Sequence, residues 1–318
     1  MSFPGVLLLG ATGRIGRVLQ QCWPRAGAGS VLRSGSVLWP DSVLWPNSVL
    51  WQCRGPCENQ SDQTLNWVEV DPLDDSGALI RAARGRAVIL CLAGVVPDHP
   101  GSFEDNITLA EAAIRAGAEV GARVILASTA AVYGNQAGVL AETAPLCPVS
   151  TYGQAKAEME SRAAALGDAL GVEVCCLRIG NIAGLDAILG KWQPGFRLDQ
   201  FPDGHTPRRS YIGVQSLARV LAKVVRAPHL PGALNIAAPG GVEMGALLDA
   251  AGLDWTPRPA LAGAIAEVRL DLGALQRVAP LTAREGQAEE LVMQWYEFAN
   301  IEPNTAASTF KGQGDDLA

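Results

Sequence analysis

The chain has 318 residues, 48% of them hydrophobic, and a formal net charge of −7 at pH 7. That length accommodates one large domain or two moderate ones with a sizeable core. The acidic balance argues against a nucleic-acid surface, which needs clustered positive charge, and the sequence has no run of 18 apolar residues to suggest a membrane span.

The first apolar run, Val6-Leu7-Leu8-Leu9, has no basic leader and runs straight into Gly10. It reads as a strand rather than a signal peptide. Gly10-Ala11-Thr12-Gly13-Arg14-Ile15-Gly16 follows, and Ile15 to about Cys22 suits a helix opened by that loop. A glycine loop between a strand and a helix is the setting of a dinucleotide cradle. Glycines let the backbone approach a pyrophosphate, and exposed N–H groups with the helix dipole favour its charge. The spacing G-x-x-G-x-x-G is a variant of the commoner G-x-G-x-x-G; a plain strand–turn–helix is the structural alternative.

Residues 30–51 repeat a short unit: Ser30-Val31-Leu32-Arg33, Ser36-Val37-Leu38-Trp39, Ser42-Val43-Leu44-Trp45 and Ser48-Val49-Leu50-Trp51. Its period of six residues is far below that of a solenoid unit. Pro40 and Pro46 prevent one long central strand. The segment reads as a local duplication that inserts a loop, with a tryptophan-lined surface as the alternative. The second strand is then either Ser30–Arg33 or Ser48–Arg54. An acid that reads the ribose is expected about 20 residues beyond the loop. Arg33 or Arg54 stands there instead, which favours NADP over NAD. Asp71, before Pro72, is a candidate adenine contact or simply a turn initiator.

Strands are expected at Trp67–Val70, Ala87–Leu92, Arg123–Ala127, Val172–Leu177 and Ala233–Ala237. Helices are expected at Leu79–Ala83, Phe103–Ala118, Tyr152–Leu170, Gln215–Arg226, Met244–Ala251 and Glu285–Asn300. Pro194 to Arg208 reads as loops, and the tail from Glu302 as frayed. Strands alternating with helices imply crossover units and a parallel sheet. The seven cysteines include Cys53 and Cys57, close in sequence, and Cys175-Cys176 inside an apolar run. They read as reduced thiols of a cytoplasmic protein, with a metal or redox role as the alternative. The three histidines, His99, His205 and His229, have no ligand spacing, so no histidine metal centre is expected.

Tyr152 and Lys156 share one face of a helix. A phenol ionises near pH 10 and is a poor base at neutral pH. A nearby ammonium favours the phenolate, which lets the phenol exchange a hydroxyl proton while hydride moves at carbon. Thr129, at a strand end, could hold the substrate oxygen beside Tyr152; Ser128 is the alternative.

The ordered set Gly10 to Gly16, Ser128-Thr129-Ala130-Ala131-Val132-Tyr133-Gly134 and Tyr152-Gly153-Gln154-Ala155-Lys156 resembles the extended short-chain dehydrogenases, the NAD(P)-dependent epimerase/dehydratase family. Leu177 to Gly184 and Arg209-Ser210-Tyr211-Ile212-Gly213-Val214 extend the resemblance over about residues 5–240. It implies Thr129, Tyr152 and Lys156 as the catalytic triad, with Ala93 and Gly94 passing close to the cofactor. It also implies that Asn181 and Arg209 face the substrate. Helices near 103–118 and 152–170 pair across dimers in that family, which implies a homodimer. Two features depart from the pattern. Only 28 positions separate Asn181 from Arg209, short for a cradle around a nucleotide-diphosphate sugar. Gly213 replaces a usual His, and Gln215 or Ser216 a usual Asp.

The sequence therefore predicts an α/β fold: a doubly wound parallel sheet (Rossmann) over 1–180 and about 211–238. A small, discontinuous C-terminal substrate domain is expected from about 181–210 and 239–301, with 302–318 a flexible tail. The expected chemistry is reversible hydride transfer between NAD or NADP and a hydroxyl or ketone carbon of a small molecule, such as a sugar or nucleotide sugar. Ala130-Ala131-Val132 offers no acid beside Thr129, which weakens a dehydratase reading. The alternatives are an NADPH-dependent reductase of a small carbonyl compound and a non-catalytic dinucleotide sensor.

Overall fold

Four consecutive apolar residues form β1 (Val6–Leu9), and all four are fully buried. A parallel strand covered on both faces requires that unbroken apolarity. After it come α1 (Arg14–Cys22), β2 (Val49–Cys53), β3 (Trp67–Glu69), α2 (Ser76–Ala83), β4 (Val88–Cys91), α3 (Asp105–Val120) and β5 (Arg123–Thr129). This computed structural model describes residues 3–23, 48–56, 65–97 and 101–300. Arg33, Cys57, His99 and the first three copies of the hexapeptide repeat lie outside the described residues. The fourth copy, beginning at Ser48, supplies the start of β2.

The second half of the chain forms β6 (Gly138–Leu140), α4 (Thr151–Leu170), β7 (Val174–Ile179), β8 (Asn181–Ile182), β9 (Arg197–Gln200), β10 (Arg208–Arg209), β11 (Tyr211–Ile212) and α5 (Val214–Arg226). Next are β12 (Ala233–Ile236), β13 (Val242–Glu243), α6 (Met244–Ala250), β14 (Thr256–Pro259), β15 (Glu267–Leu270), α7 (Gly273–Val278) and α8 (Ala288–Ala299).

A parallel seven-stranded sheet has the order β12-β7-β5-β4-β1-β2-β3. β1 pairs with β2 on one side and β4 on the other, with Leu7 opposite Leu50 and Ile89. The chain winds outward from β1 through β3, then returns to β4 and winds the other way. The switch point of this doubly wound sheet lies between β1 and β4, and ligands of such sheets bind at the carboxyl ends of the strands there.

Two compact units can be distinguished: Met1–Ala127 with Ala155–Cys176 and Ala222–Gly232, and Ser128–Gln154 with Leu177–Leu221 and Ala233–Ala318. Leu7, Leu9, Ile89, Ile114, Val124 and Met159 belong to the core of the first. Leu189, Trp192, Tyr211, Leu247, Leu291 and Trp295 belong to that of the second. The second unit also holds a strand where loops are expected: β9 pairs in parallel with β14, Arg197 opposite Thr256. β14 reads Thr-Pro-Arg-Pro and is exposed throughout, so no apolar alternation announces the pair.

Gly213, the departure from the family pattern, has a packing reason. A Cβ there would collide with the side-chain amide of Gln294 in α8. That buried amide accepts from the Ser216 backbone N–H (3.0 Å) and donates to Ser216 Oγ (3.1 Å), holding the start of α5. Ser216 Oγ in turn donates to Glu285 (2.9 Å), which is ion-paired with Arg219.

A second buried polar cluster ties the strands of this unit together. Tyr133 is fully buried; its hydroxyl donates to Asn235 Oδ1 (2.8 Å) and accepts from Arg178 Nη1 (2.9 Å). Arg178 also donates to the Glu142 carbonyl, and its guanidinium lies 5.0 Å from the centre of the Tyr133 ring. Asn235 Nδ2 donates to the Leu140 and Asp271 carbonyls, both at 3.0 Å. Tyr133→Phe deprives Asn235 Oδ1 of its tyrosine donor in a low-dielectric setting. It should cost ~1–3 kcal/mol in urea unfolding; an unchanged midpoint would contradict the network.

Candidate active site

At the switch point the chain approaches itself closely. Gly10 has φ of 81°, and a Cβ on it would lie 2.5 Å from the Ala93 backbone nitrogen. The loops after β1 and β4 therefore touch, and only a residue without a side chain fits between them. The Gly13 N–H donates to the Gly10 carbonyl (3.1 Å), and α1 then begins at Arg14. This helix has no side-chain cap bond and no acid in its first turn. Its first-turn amides have no partner one turn earlier in the helix, and the dipole gives that end partial positive charge. A Cβ on Gly16 would strike the Gly10 and Ala11 carbonyls, so α1 is seated directly on the loop. Thr12, Gly13 and Arg14 are exposed, and Ile15 is half-buried. Bare backbone, exposed amides and a positive helix end fit a dinucleotide pyrophosphate.

Side chains brace this cradle. Gln52 in β2, 3% exposed, accepts from the Gly10 N–H through Oε1 (2.8 Å) and donates from Nε2 to the Val70 carbonyl (2.6 Å). Gln20 donates to the Ala11 carbonyl (2.7 Å). Asn106 at the start of α3 is buried; its amide accepts from the Val95 N–H (3.2 Å) and donates to the Val95 and Phe103 carbonyls, both at 3.0 Å. A Cβ on Gly94 would lie 2.5 Å from Asn106 Oδ1 and 3.4 Å from Lys156 Nζ. Ala93-Gly94, Asn106 and Lys156 are thus neighbours.

Lys156 is 4% exposed, and its ammonium donates to the Ala127 carbonyl in β5 (2.8 Å). Burial pulls its pKa down to about 8. Lys156 is fixed on α4 one turn after Tyr152.

Thr129 ends β5, two residues beyond the carbonyl that holds Lys156. Its Oγ1 accepts from the Ala131 N–H (3.2 Å) and caps the 3₁₀ turn Ala130–Tyr133. Ser128 is buried. The same turn seats Tyr152: a Cβ on Gly153 would lie 2.7 Å from the Ala131 carbonyl. Ser150 Oγ accepts from the Gly153 N–H (3.0 Å), capping α4. Thr129 and Tyr152, the latter half-buried, are thus connected through Ala131 and Gly153.

The other named residues are more constrained. Asp71 Oδ1 accepts from the Leu73 N–H (2.9 Å), the bond of a turn initiator. Asn181 lies in β8, and its backbone N–H donates to the Ser210 carbonyl (3.0 Å). The Arg209 guanidinium donates to the carbonyls of Arg208 (2.8 Å), Ile265 (2.9 Å) and Ala266 (3.4 Å). Arg208 is ion-paired with Glu243 (3.1 Å). Among the described residues no group of His, Cys, Asp and Glu could hold a metal ion, and no helix is long and apolar enough to cross a membrane. Gln52, Asn106 and Ser150 go unnoticed in the sequence. A glutamine inside the apolar run Val49–Cys53 is the signal for the first, and Ser150 three residues before Gly153 is an N-cap signal.

Comparison with known proteins agrees with this fold. The NAD dependent epimerase/dehydratase family matches residues 6–237. A UDP-glucose 4-epimerase of Azospirillum brasilense is 39% identical over 140 residues, a stretch that is 36% of this chain and 39% of that protein. The match thus spans well under two thirds of that relative's length. A UDP-N-acetylglucosamine 4-epimerase structure from Methanobrevibacter ruminantium M1 aligns with a TM-score of 0.68 at 19% identity, covering 93% of this chain and 99% of that one. A UDP-glucose-4-epimerase structure from Stenotrophomonas maltophila aligns with a TM-score of 0.69 at 19% identity, over 93% and 98% of the two chains. At such identities the structures speak for the fold, while the family match covers most of the chain from β1 through β12: the chain belongs to the NAD dependent epimerase/dehydratase family.

Proposed function

We propose that the protein is an NAD(P)-dependent enzyme that oxidises or reduces a carbon bearing a hydroxyl or carbonyl group, with Thr129, Tyr152 and Lys156 as its catalytic residues. The observation that carries this reading is the buried Lys156 ammonium, anchored to Ala127 one helical turn after Tyr152. A buried charge is costly, and a purely structural helix has no use for it. When bound, the nicotinamide supplies hydride chemistry at the substrate carbon. The uncapped start of α1 at Arg14 would hold the pyrophosphate, with Gly10, Gly13 and Gly16 letting the backbone come close and Thr12 and Ile15 beside it. Ala93 and Gly94 would line the neighbouring loop, and Asp71 the adenine end. In the oxidative direction Tyr152 Oη takes the hydroxyl proton as the C–H bond breaks; in reverse it returns that proton to the forming alkoxide. The Lys156 ammonium stabilises the phenolate. Thr129, whose Oγ1 accepts from Ala131, keeps its own proton to donate to the substrate oxygen.

The substrate class in this reading is a sugar or nucleotide sugar, supported by the family and by the substrates named for its epimerase relatives. Ser128, Asn181 and Arg209 are the proposed substrate contacts. Segments 181–210 and 239–301 are the proposed substrate domain, supported by their shared core of Leu189, Trp192, Leu198, Leu247 and Trp295. NADP is the preferred cofactor, since the end of β2 runs into Arg54 rather than an acid. One observation favours a second reading, a reductase of a small carbonyl compound: Arg209 is engaged by three carbonyls and Arg208 by Glu243, so neither stands ready for a diphosphate. A cytoplasmic location completes the proposal, supported by the exposed thiol of Cys147, which suits a reducing compartment; the homodimer rests on the family resemblance alone.

Tyr152→Phe removes the transferable proton and should lower turnover ~10²–10⁴-fold while dinucleotide binding is kept. Turnover equal to wild type would contradict the catalytic assignment, and NADPH consumption with an added carbonyl compound separates net reduction from epimerisation. Lys156 gives a second expectation. Its pKa falls from the ordinary lysine value of 10.5 to about 8 in the fold. Between those values the unfolded chain holds more protons, so stability rises with pH across that window, by up to about 3 kcal/mol. Below about pH 8 the penalty is present in full. Lys156→Met should therefore lose turnover yet narrow or reverse any stability deficit at pH 7, and its advantage should shrink from pH 8 to 10. A wild-type-minus-variant stability difference independent of pH would contradict the buried charge.

A further inference from the structure

We infer that Met159 is a positioning residue for Lys156: its thioether accepts one N–H of the buried ammonium and holds it between β5 and the Ala93-Gly94 loop. The inference rests on the redox reading above, in which that ammonium supports Tyr152, and adds a residue to it. Met159 lies three positions after Lys156 on α4, so the two share a face of the helix. Lys156 Nζ stands 3.7 Å from Met159 Sδ, within hydrogen-bond reach of sulfur. The same nitrogen lies 2.8 Å from the Ala127 carbonyl, and a Cβ on Gly94 would come within 3.4 Å of it.

An ammonium carries three N–H donors and accepts nothing. Lys156 is buried, and a buried donor without an acceptor is costly. The Ala127 carbonyl meets one donor and the Met159 sulfur a second. Met159 is itself buried, in the core that holds Cys91, Leu126 and Cys176. A leucine would fill that space as well, but only the thioether also accepts. The softness of the acceptor matters. A carboxylate at residue 159 would hold the ammonium as an ion pair and oppose loss of its proton. Sulfur supports the charge weakly, so burial stays dominant and pulls the Lys156 pKa down to about 8. Cys91 in β4, Cys176 in β7 and Glu160 in α4 act on the ammonium in the opposite direction. Burial pushes the Cys91 thiol up to about 11, so it is uncharged at neutral pH. The lysine is thereby kept protonated yet close to its titration point, one turn from the phenol it is proposed to support.

The test is an NMR pH titration of the full-length protein, isotope-labelled at the lysine ε-carbon and free of dinucleotide, alongside a thermal melt for folding. The chain has four lysines, and the Lys156 signal is the one lost in Lys156→Met. Met159→Leu conserves volume but removes the acceptor from the charged form, and should lower the Lys156 midpoint by ~0.5–1 pH unit. Met159→Gln returns an acceptor and should bring the midpoint back to the wild-type value or above it. An unmoved midpoint in Met159→Leu would make the sulfur core filling only and overturn the inference. If Met159→Leu does not fold, Met159→Gln decides, and a midpoint below that of the wild type overturns the inference. Wild-type protein that binds neither NADPH nor NADH overturns the redox reading, while the titration still reads the contact between Met159 and Lys156.

Discussion

The close approach of Gly10 to Ala93 is the constraint on which the site depends. A side chain at residue 10 would collide with the backbone after β4, so the two loops at the switch point form one surface of bare backbone. The rest of the cradle is arranged around it. α1 is seated on the same loop through Gly16, and its uncapped start adds partial positive charge. Gln52 secures the loop from one side, and Asn106 secures its neighbour at Gly94 and Val95 from the other. Rigid backbone donors need no reorganisation when an anion arrives, which is why such sites are built from main chain rather than lysine side chains.

The helix proposed to carry the catalytic pair is governed by the same economy of space. α4 starts at a Ser150 cap, rests Gly153 on the Ala131 carbonyl and buries Lys156 against Ala127. Ala131 is also where Thr129 makes its capping bond. A tyrosine between such fixed points loses little freedom when a substrate binds, and orientation of reacting groups is a large part of catalysis. The cost is carried by Lys156, whose buried charge the fold tolerates at neutral pH at the expense of stability.

Much of this was legible in the sequence, for identifiable reasons. Buried parallel strands need unbroken apolar runs, so Val6–Leu9 and Val88–Cys91 announce themselves, and with them the doubly wound sheet. The glycine loop and the Tyr152/Lys156 pair are legible because both depend on fixed local spacing. Gln52 and Asn106 were not, since their meaning lies in partners far along the chain: residue 52 reaches residues 10 and 70. β9 and β14 were missed because an exposed Thr-Pro-Arg-Pro ribbon carries no periodic signal. Gly213 looked like a loss of a family residue. The structure gives it a reason in Gln294, some eighty positions away, which no local pattern could reveal.

The central claim is that a nicotinamide dinucleotide binds across the Gly10–Gly16 loop and the Ala93–Val95 segment. Peptide-resolved hydrogen exchange of the full-length protein, with and without saturating NADP or NAD, tests it most directly. Slowed exchange is expected in peptides covering residues 10–16 and 92–96. Unchanged exchange in both segments, with either dinucleotide present in excess, would contradict the claim.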